Sequence, residues 1–172
     1  MTTSMLARLD AGDRALFSRW RLGGRRRLPR VAWTALTHLG GTWCSITAAF
    51  APLAAGGALH AAARRAAATL VLSHLIVQCI KRTAVRARPA GAVGCAAHVR
   101  EPDRFSFPSG HACAALAVAL AYALALPGPT FLLIPLALAV GASRVFLGVH
   151  YPGDVIIGQL IAVAAATAVA AA

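Results

Sequence analysis

Three polar clusters interrupt an otherwise apolar chain, and their side chains are of kinds that handle phosphate. Lys81 is followed after six residues by Arg88-Pro89, then comes Phe107-Pro108-Ser109-Gly110-His111, and last Ser143-Arg144, His150 and Asp154. Lys81, Arg88 and Arg144 supply cations with several donors each, Arg as a planar clamp and Lys as a compact point charge. That suits a phosphate and the charge that builds on it in a transition state. Ser109, directly after Pro108, is a good N-cap; the free N–H groups of a helix start form an anion site, and Gly110 allows close approach. His111 falls in the first turn of that helix. Pro152-Gly153 argue against one helix running through His150 and Asp154, so Asp154 is expected to cap the next helix across a turn. From there its carboxylate accepts a hydrogen bond from one imidazole nitrogen, fixing the tautomer and leaving the other nitrogen free to attack. An acid-steered histidine facing an anion cradle with a second histidine is a nucleophile-plus-general-acid arrangement.

The elements that must bring these clusters together are apolar rods. The chain has 172 residues, 59% of them hydrophobic, and a mean hydropathy of +0.69, which bounds it to one domain and points to a bilayer. The net charge of +12 does not imply nucleic acid, because the arginines sit at the ends of apolar runs as in a membrane protein. The spacing predicts an all-α, polytopic membrane helix bundle of about five transmembrane helices, with an N-terminal interfacial amphipathic helix. Residues 1–30 form the interfacial segment and 31–172 the transmembrane domain. Leu6, Leu9, Leu16, Phe17 and Trp20 share one face of the first helix. Val31 to Ala63 holds one spanning helix plus a turn near Pro52 or Gly56-Gly57. The further spans are Ala66 to Ile80, Ser109 to Leu126, Thr130 to Val149 and Val155 to Ala172. Lys81 to Pro108 is the only long polar loop. No apolar run of signal-peptide type is expected within the first twenty residues.

Only five residues are acidic: Asp10, Asp13, Glu101, Asp103 and Asp154. That is too few to build a two-metal phosphate site, so no metal and no cofactor is expected. The cysteines (Cys44, Cys79, Cys95, Cys113) have no metal-ligand spacing and read as small hydrophobes.

Lys-x6-Arg-Pro, Pro-Ser-Gly-His and Ser-Arg-x5-His-x3-Asp, in this order, resemble the three-part signature of the type 2 phosphatidic acid phosphatase superfamily. The match runs from Lys81 to Asp154 with every signature position filled. The resemblance implies that His150 is the nucleophile forming a phosphohistidine and Asp154 its orienting partner. His111 would protonate the leaving oxygen and then activate water. Lys81, Arg88, Ser109, Gly110 and Arg144 would hold the phosphoryl oxygens, without a metal. Members that span membranes usually have six spanning helices, against five expected here.

The function expected is that of an integral membrane lipid phosphatase acting on a membrane lipid phosphate in the phospholipid bilayer. A polyprenyl phosphate or diphosphate such as undecaprenyl or decaprenyl phosphate is favoured, with phosphatidic acid or phosphatidylglycerophosphate next. The setting is the cell envelope, at the bacterial inner membrane. Charge bias would turn the site to the cytoplasm, whereas the resemblance implies the outer side, and the sequence leaves both open. The alternatives are a non-catalytic lipid-binding or carrier protein that kept the fold, and a soluble-sugar phosphatase of the glucose-6-phosphatase type. His38, His60, His74 and His98 have no setting that suggests a role. Arg82, Arg86, Arg100 and Arg104 read as headgroup contacts or solvated loop, and nothing in the sequence tests Ser106.

Overall fold

The computed structural model describes residues 2–21, 27–90, 97–99, 101, 103–126, 128 and 130–172, with backbone alone for residues 2–9 and 27–29. The described residues form seven α-helices: α1 (Thr2–Trp20), α2 (Arg27–His38), α3 (Thr42–Phe50), α4 (Gly57–Ala84), α5 (Gly110–Ala125), α6 (Thr130–Phe146) and α7 (Pro152–Ala171). A 3₁₀ turn at Ala51–Ala54 follows α3, with Pro52 in its first turn. The only β-type pairing among them is an isolated antiparallel bridge between Ala87 and Phe105.

The all-helical architecture agrees with the expectation, but the stretch from Val31 to Ala63 does not hold a single spanning helix and a turn. The chain does turn at Pro52 and Gly56, and it breaks once more at Gly40-Gly41. The reason is a close approach. A Cβ on Gly40 would lie 2.6 Å from a Val140 methyl and 2.8 Å from the His111 carbonyl oxygen, so the chain passes there only as bare backbone. Before the break, α2 packs on α6, where Trp33 stacks on Phe146 at 4.5 Å. After it, α3 and the 3₁₀ turn run along α4.

Helix α5 is the centre of the bundle, packed against α4, α6 and α7. Val77, Cys113, Leu116, Ala117, Ala119, Ala137, Ile161 and Ala162 form its main buried cluster. Alanines dominate because helices in a bilayer gain little from burying large apolar groups and associate through close backbone approach. The large apolar side chains turn outward instead: Trp43 is 82% exposed and Phe131 81%, with Val71, Leu75, Leu132, Ile156 and Leu160 also exposed. Such an outer wall suits lipid rather than water.

Among the described residues, α7 alone is long and apolar enough to cross a membrane; residues 42–54, α5 and α6 are shorter apolar segments. The 28 residues of α4 reach about 42 Å. Helix α1 forms where an interfacial helix is expected, and its apolar face points partly inward. Phe17 is fully buried against Tyr151 with Val145 and Val155, while Trp20 stacks on Phe146 at 6.4 Å. The side chains of Leu6 and Leu9 lie outside the described residues, as do Cys95 and, in the loop from Lys81 to Pro108, residues 91–96, 100 and 102.

Candidate active site

Helix ends carry the three clusters to one end of the bundle. Lys81 lies in the last turn of α4, Ser109 caps α5, Arg144 lies in the last turn of α6, and His150 and Asp154 flank the start of α7. Two backbone bonds lock these ends together. The Ser109 N–H donates to the Asp154 carbonyl at 2.9 Å, and the His150 N–H to the Arg144 carbonyl at 3.2 Å. The first bond needs Gly158, because a Cβ there would come within 2.5 Å of the Ser109 carbonyl oxygen. Ser109 accepts from the Ala112 N–H at 3.5 Å, and none of the described hydrogen bonds takes up the N–H groups of Gly110 or His111.

A cavity of about 790 Å³ opens at this end. Lys81, Arg88, Gly110, His111 and His150 line its polar part, together with Asp103, and it runs on between α3 and α4 past Ile46, Phe50, Leu70, Val71 and Leu75. Arg144, Ser109 and Asp154 are not among its lining residues; all three are buried just behind it. The expected site residues therefore converge, in a front row and a supporting row.

The imidazole of His150 has a charged group near each nitrogen. Arg88 Nη1 lies 3.2 Å from Nε2 and also donates to the Val149 carbonyl at 2.9 Å. A guanidinium has no acceptor, so Nε2 carries the lone pair and the proton of the neutral ring is assigned to Nδ1. That nitrogen stands 3.5 Å from Asp154 Oδ2 and has no hydrogen bond among the described residues. The distance marks an approach of the two groups rather than a formed bond. Burial holds the His150 pKa down to about 4; the Arg144 and Arg88 charges act in the same direction and Asp154 opposes them. The ring is thus neutral at physiological pH, as an attacking nitrogen must be.

The Asp154 carboxylate is fully buried and accepts three hydrogen bonds. Its Oδ1 accepts from Arg86 Nη1 at 2.6 Å, and its Oδ2 accepts from the Tyr151 N–H at 2.8 Å and from the Ser106 hydroxyl. Arg86 is therefore not a solvated loop or headgroup-contacting residue. It is largely buried, lying 2.7 Å from Asp10 and 2.8 Å from Asp13. Burial works against its charge, but Asp154, Asp10 and Asp13 outweigh that and raise its pKa.

Asp103, to which the sequence assigned no role, bridges two of the cradle cations. Lys81 Nζ donates to its oxygens at 2.8 and 3.0 Å, and Arg88 Nη2 donates at 2.9 Å. Burial pulls the Asp103 carboxyl upward, yet Lys81 and Arg88 hold it below the usual carboxylate range. Arg144 is 1% exposed. Its Nη1 donates to Thr37 Oγ1 at 2.6 Å, while Nε and Nη2 have no partner among the described residues. Two buried donors without acceptors are costly unless an anion meets them.

Sequence reasoning missed Arg86, Ser106, Asp103 and Thr37 as parts of the site. A signal existed for the first: a buried Asp154 in so apolar a chain requires a cation, and Arg86 lies two residues before a signature arginine. Nothing marks Thr37 as special.

Known proteins resemble this chain in sequence and in fold. The decaprenylphosphoryl-5-phosphoribose phosphatase of Mycolicibacterium smegmatis is 41% identical over 131 residues, covering 72% of this chain and 68% of that protein. Among solved structures, LpxE of Aquifex aeolicus superposes with a TM-score of 0.78 at 22% identity, covering 92% of this chain and 94% of that one. The transmembrane PAP2 type phosphatidylglycerolphosphate phosphatase of Bacillus subtilis gives 0.72 at 24% identity, covering 95% and 85%. The sequence from residue 62 to residue 172 matches the PAP2 superfamily, and the chain belongs to that superfamily.

Proposed function

We propose that the chain is an integral membrane phosphatase that cleaves phosphate from a polyprenyl-linked lipid through a phosphohistidine on His150. One observation carries this reading: the cavity that holds Lys81, Arg88, His111 and His150 continues into an apolar groove between α3 and α4. A lipid phosphate has those two halves, and a free sugar phosphate has only the first. The similarity to a decaprenylphosphoryl-5-phosphoribose phosphatase supports a polyprenyl chain over a diacylglycerol.

In this mechanism the substrate phosphoryl group draws the donors of Lys81, Arg88 and Arg144 and the N–H groups at the Ser109-Gly110 helix start. Arg88 turns from His150 Nε2 to a phosphoryl oxygen and frees the lone pair. Nε2 attacks phosphorus, and the bond to the leaving oxygen breaks as His111 gives that oxygen a proton. The Nδ1 proton of the now cationic His150 faces Asp154, whose carboxylate stabilises it. His111, left neutral, takes a proton from water as the water oxygen attacks phosphorus. The P–N bond then breaks, releasing phosphate and restoring His150. The phosphate is held by cationic side chains, with no metal in the cycle. Residues 31–172 cross the inner membrane in five passes, the first formed by α3 with its 3₁₀ turn, and residues 1–30 lie at the interface on the side of the site.

The test is phosphate release in detergent with chelator present, from a panel of polyprenyl phosphate and diphosphate, phosphatidic acid, phosphatidylglycerophosphate and glucose 6-phosphate. Turnover of the polyprenyl substrates is expected, with none in His150→Ala and a trapped phosphoenzyme in His111→Ala. Wild-type silence on every lipid would leave a carrier protein with the same fold, and preference for glucose 6-phosphate would sink the lipid assignment.

A further inference from the structure

Arg86 occupies none of the signature positions, yet three of the chain's five carboxylates meet at its guanidinium. Nη1 holds Asp154 at 2.6 Å and Nη2 holds Asp10 and Asp13 at 2.7 and 2.8 Å. The group also lies over the Tyr151 ring, 4.2 Å from its centroid. The preceding residue, Val85, has φ 39° and ends α4 in the left-handed region. A β-branched residue enters that region only against steric strain and stays there only when its surroundings impose it. The strain sits where the chain leaves α4 and delivers Arg86 to α7.

We propose that Arg86 is a positioning residue for the His150–Asp154 pair, and that α1 completes the active site by holding Arg86 from its other side. The Asp154 carboxylate has two oxygens, and the one facing His150 Nδ1 is Oδ2. Among the described residues, only Arg86 holds Oδ1, so Arg86 sets the rotation of the carboxylate. The same helix grips the turn twice more. Asp13 Oδ1 accepts from the Gly153 N–H at 2.8 Å, and Phe17 packs edge-on against Tyr151 at 5.3 Å. Asp13 and one oxygen of Asp10 thus engage one internal arginine in a chain of net charge +12, while the other Asp10 oxygen pairs with Arg14 at 2.6 Å. A headgroup-seeking arginine would not be sealed beneath two carboxylates of its own chain.

The proposal rests on His150 as the nucleophile, and its test separates the two. Full chain in detergent carries Arg86→Gln, Arg86→Lys, Asp13→Asn or His150→Ala. Nitrogen-15 spectra of histidine-labelled protein report which His150 nitrogen bears the proton. Wild type is expected to be protonated at Nδ1, Arg86→Gln to show mixed tautomers, and Arg86→Lys to return toward wild type. With polyprenyl phosphate as substrate, kcat in Arg86→Gln should fall about 10–100-fold, as for other residues that orient a reacting side chain, while KM stays within about threefold. An unchanged tautomer, an effect on KM in place of kcat, or no recovery with lysine would overturn the proposal. Should Arg86→Gln fail to fold, Asp13→Asn decides: wild-type kcat and tautomer there would remove α1 from the site. Activity surviving in His150→Ala would defeat the nucleophile assignment instead.

Discussion

His150 shows how surroundings set the charge of a side chain. A histidine whose pKa is pushed down by burial loses its charge at lower pH than a free one, so the neutral form persists into acid. With a folded value of about 4 against an ordinary value of about 6.5, the ring is expected to remain neutral at pH 5.5, as read from its nitrogen-15 shifts. Removing a neighbouring positive charge reverses part of that shift. Arg88→Gln should therefore raise the His150 pKa, and Asp154→Asn should lower it further. A second prediction concerns Thr37, whose hydroxyl is the one described acceptor of Arg144. Thr37→Val keeps the shape and strands another buried donor, a change worth about 1 kcal/mol. Inhibition by vanadate, which mimics the trigonal-bipyramidal phosphoryl group, should weaken several-fold, and the melting temperature should fall by a few degrees. Residues such as Thr37, Ser106 and Asp103 could not be read from the sequence because their roles come from contacts, not from type or spacing. Thr37 meets Arg144 across 107 positions, and no local pattern encodes such a pairing. The eight expected site residues could be picked out because their chemistry and intervals are fixed together.

At the scale of helices, the polar ends were legible and the packing between them was not. Proline and glycine marked the starts of α5 and α7, as they should where a helix must begin with free N–H groups. The break between α2 and α3 was hidden, since Gly40-Gly41 in an apolar run reads equally well as a tolerated pair inside one helix. Only the approach of the His111 backbone makes it a corner. Gly158 was hidden for the same reason. Gly158→Ala should cost about 1–3 kcal/mol by forcing α7 away from Ser109. Because Ser109 caps the helix whose first residues line the cavity, the same change should raise the vanadate inhibition constant. A melting curve and an inhibition curve on one sample check both. A lowered melting temperature with unchanged inhibition would mean that the cap moves independently of α7.

For the molecule as a whole, a scarcity of acid organises the charge. Four of the five carboxylates are engaged with arginine or lysine around the site: Asp10, Asp13 and Asp154 through Arg86, and Asp103 through Lys81 and Arg88. The groove between α3 and α4 bears on how this lipid phosphatase meets its substrate. Ile46, Phe50, Val71 and Leu75 line it and are also exposed on the outer wall, so it is open sideways. A lipid can then enter by sliding within its own leaflet, its tail never crossing water, and the concentration that matters is two-dimensional. Turnover in mixed micelles should follow the mole fraction of substrate in the surface; diluting micelles at fixed composition should leave it nearly unchanged.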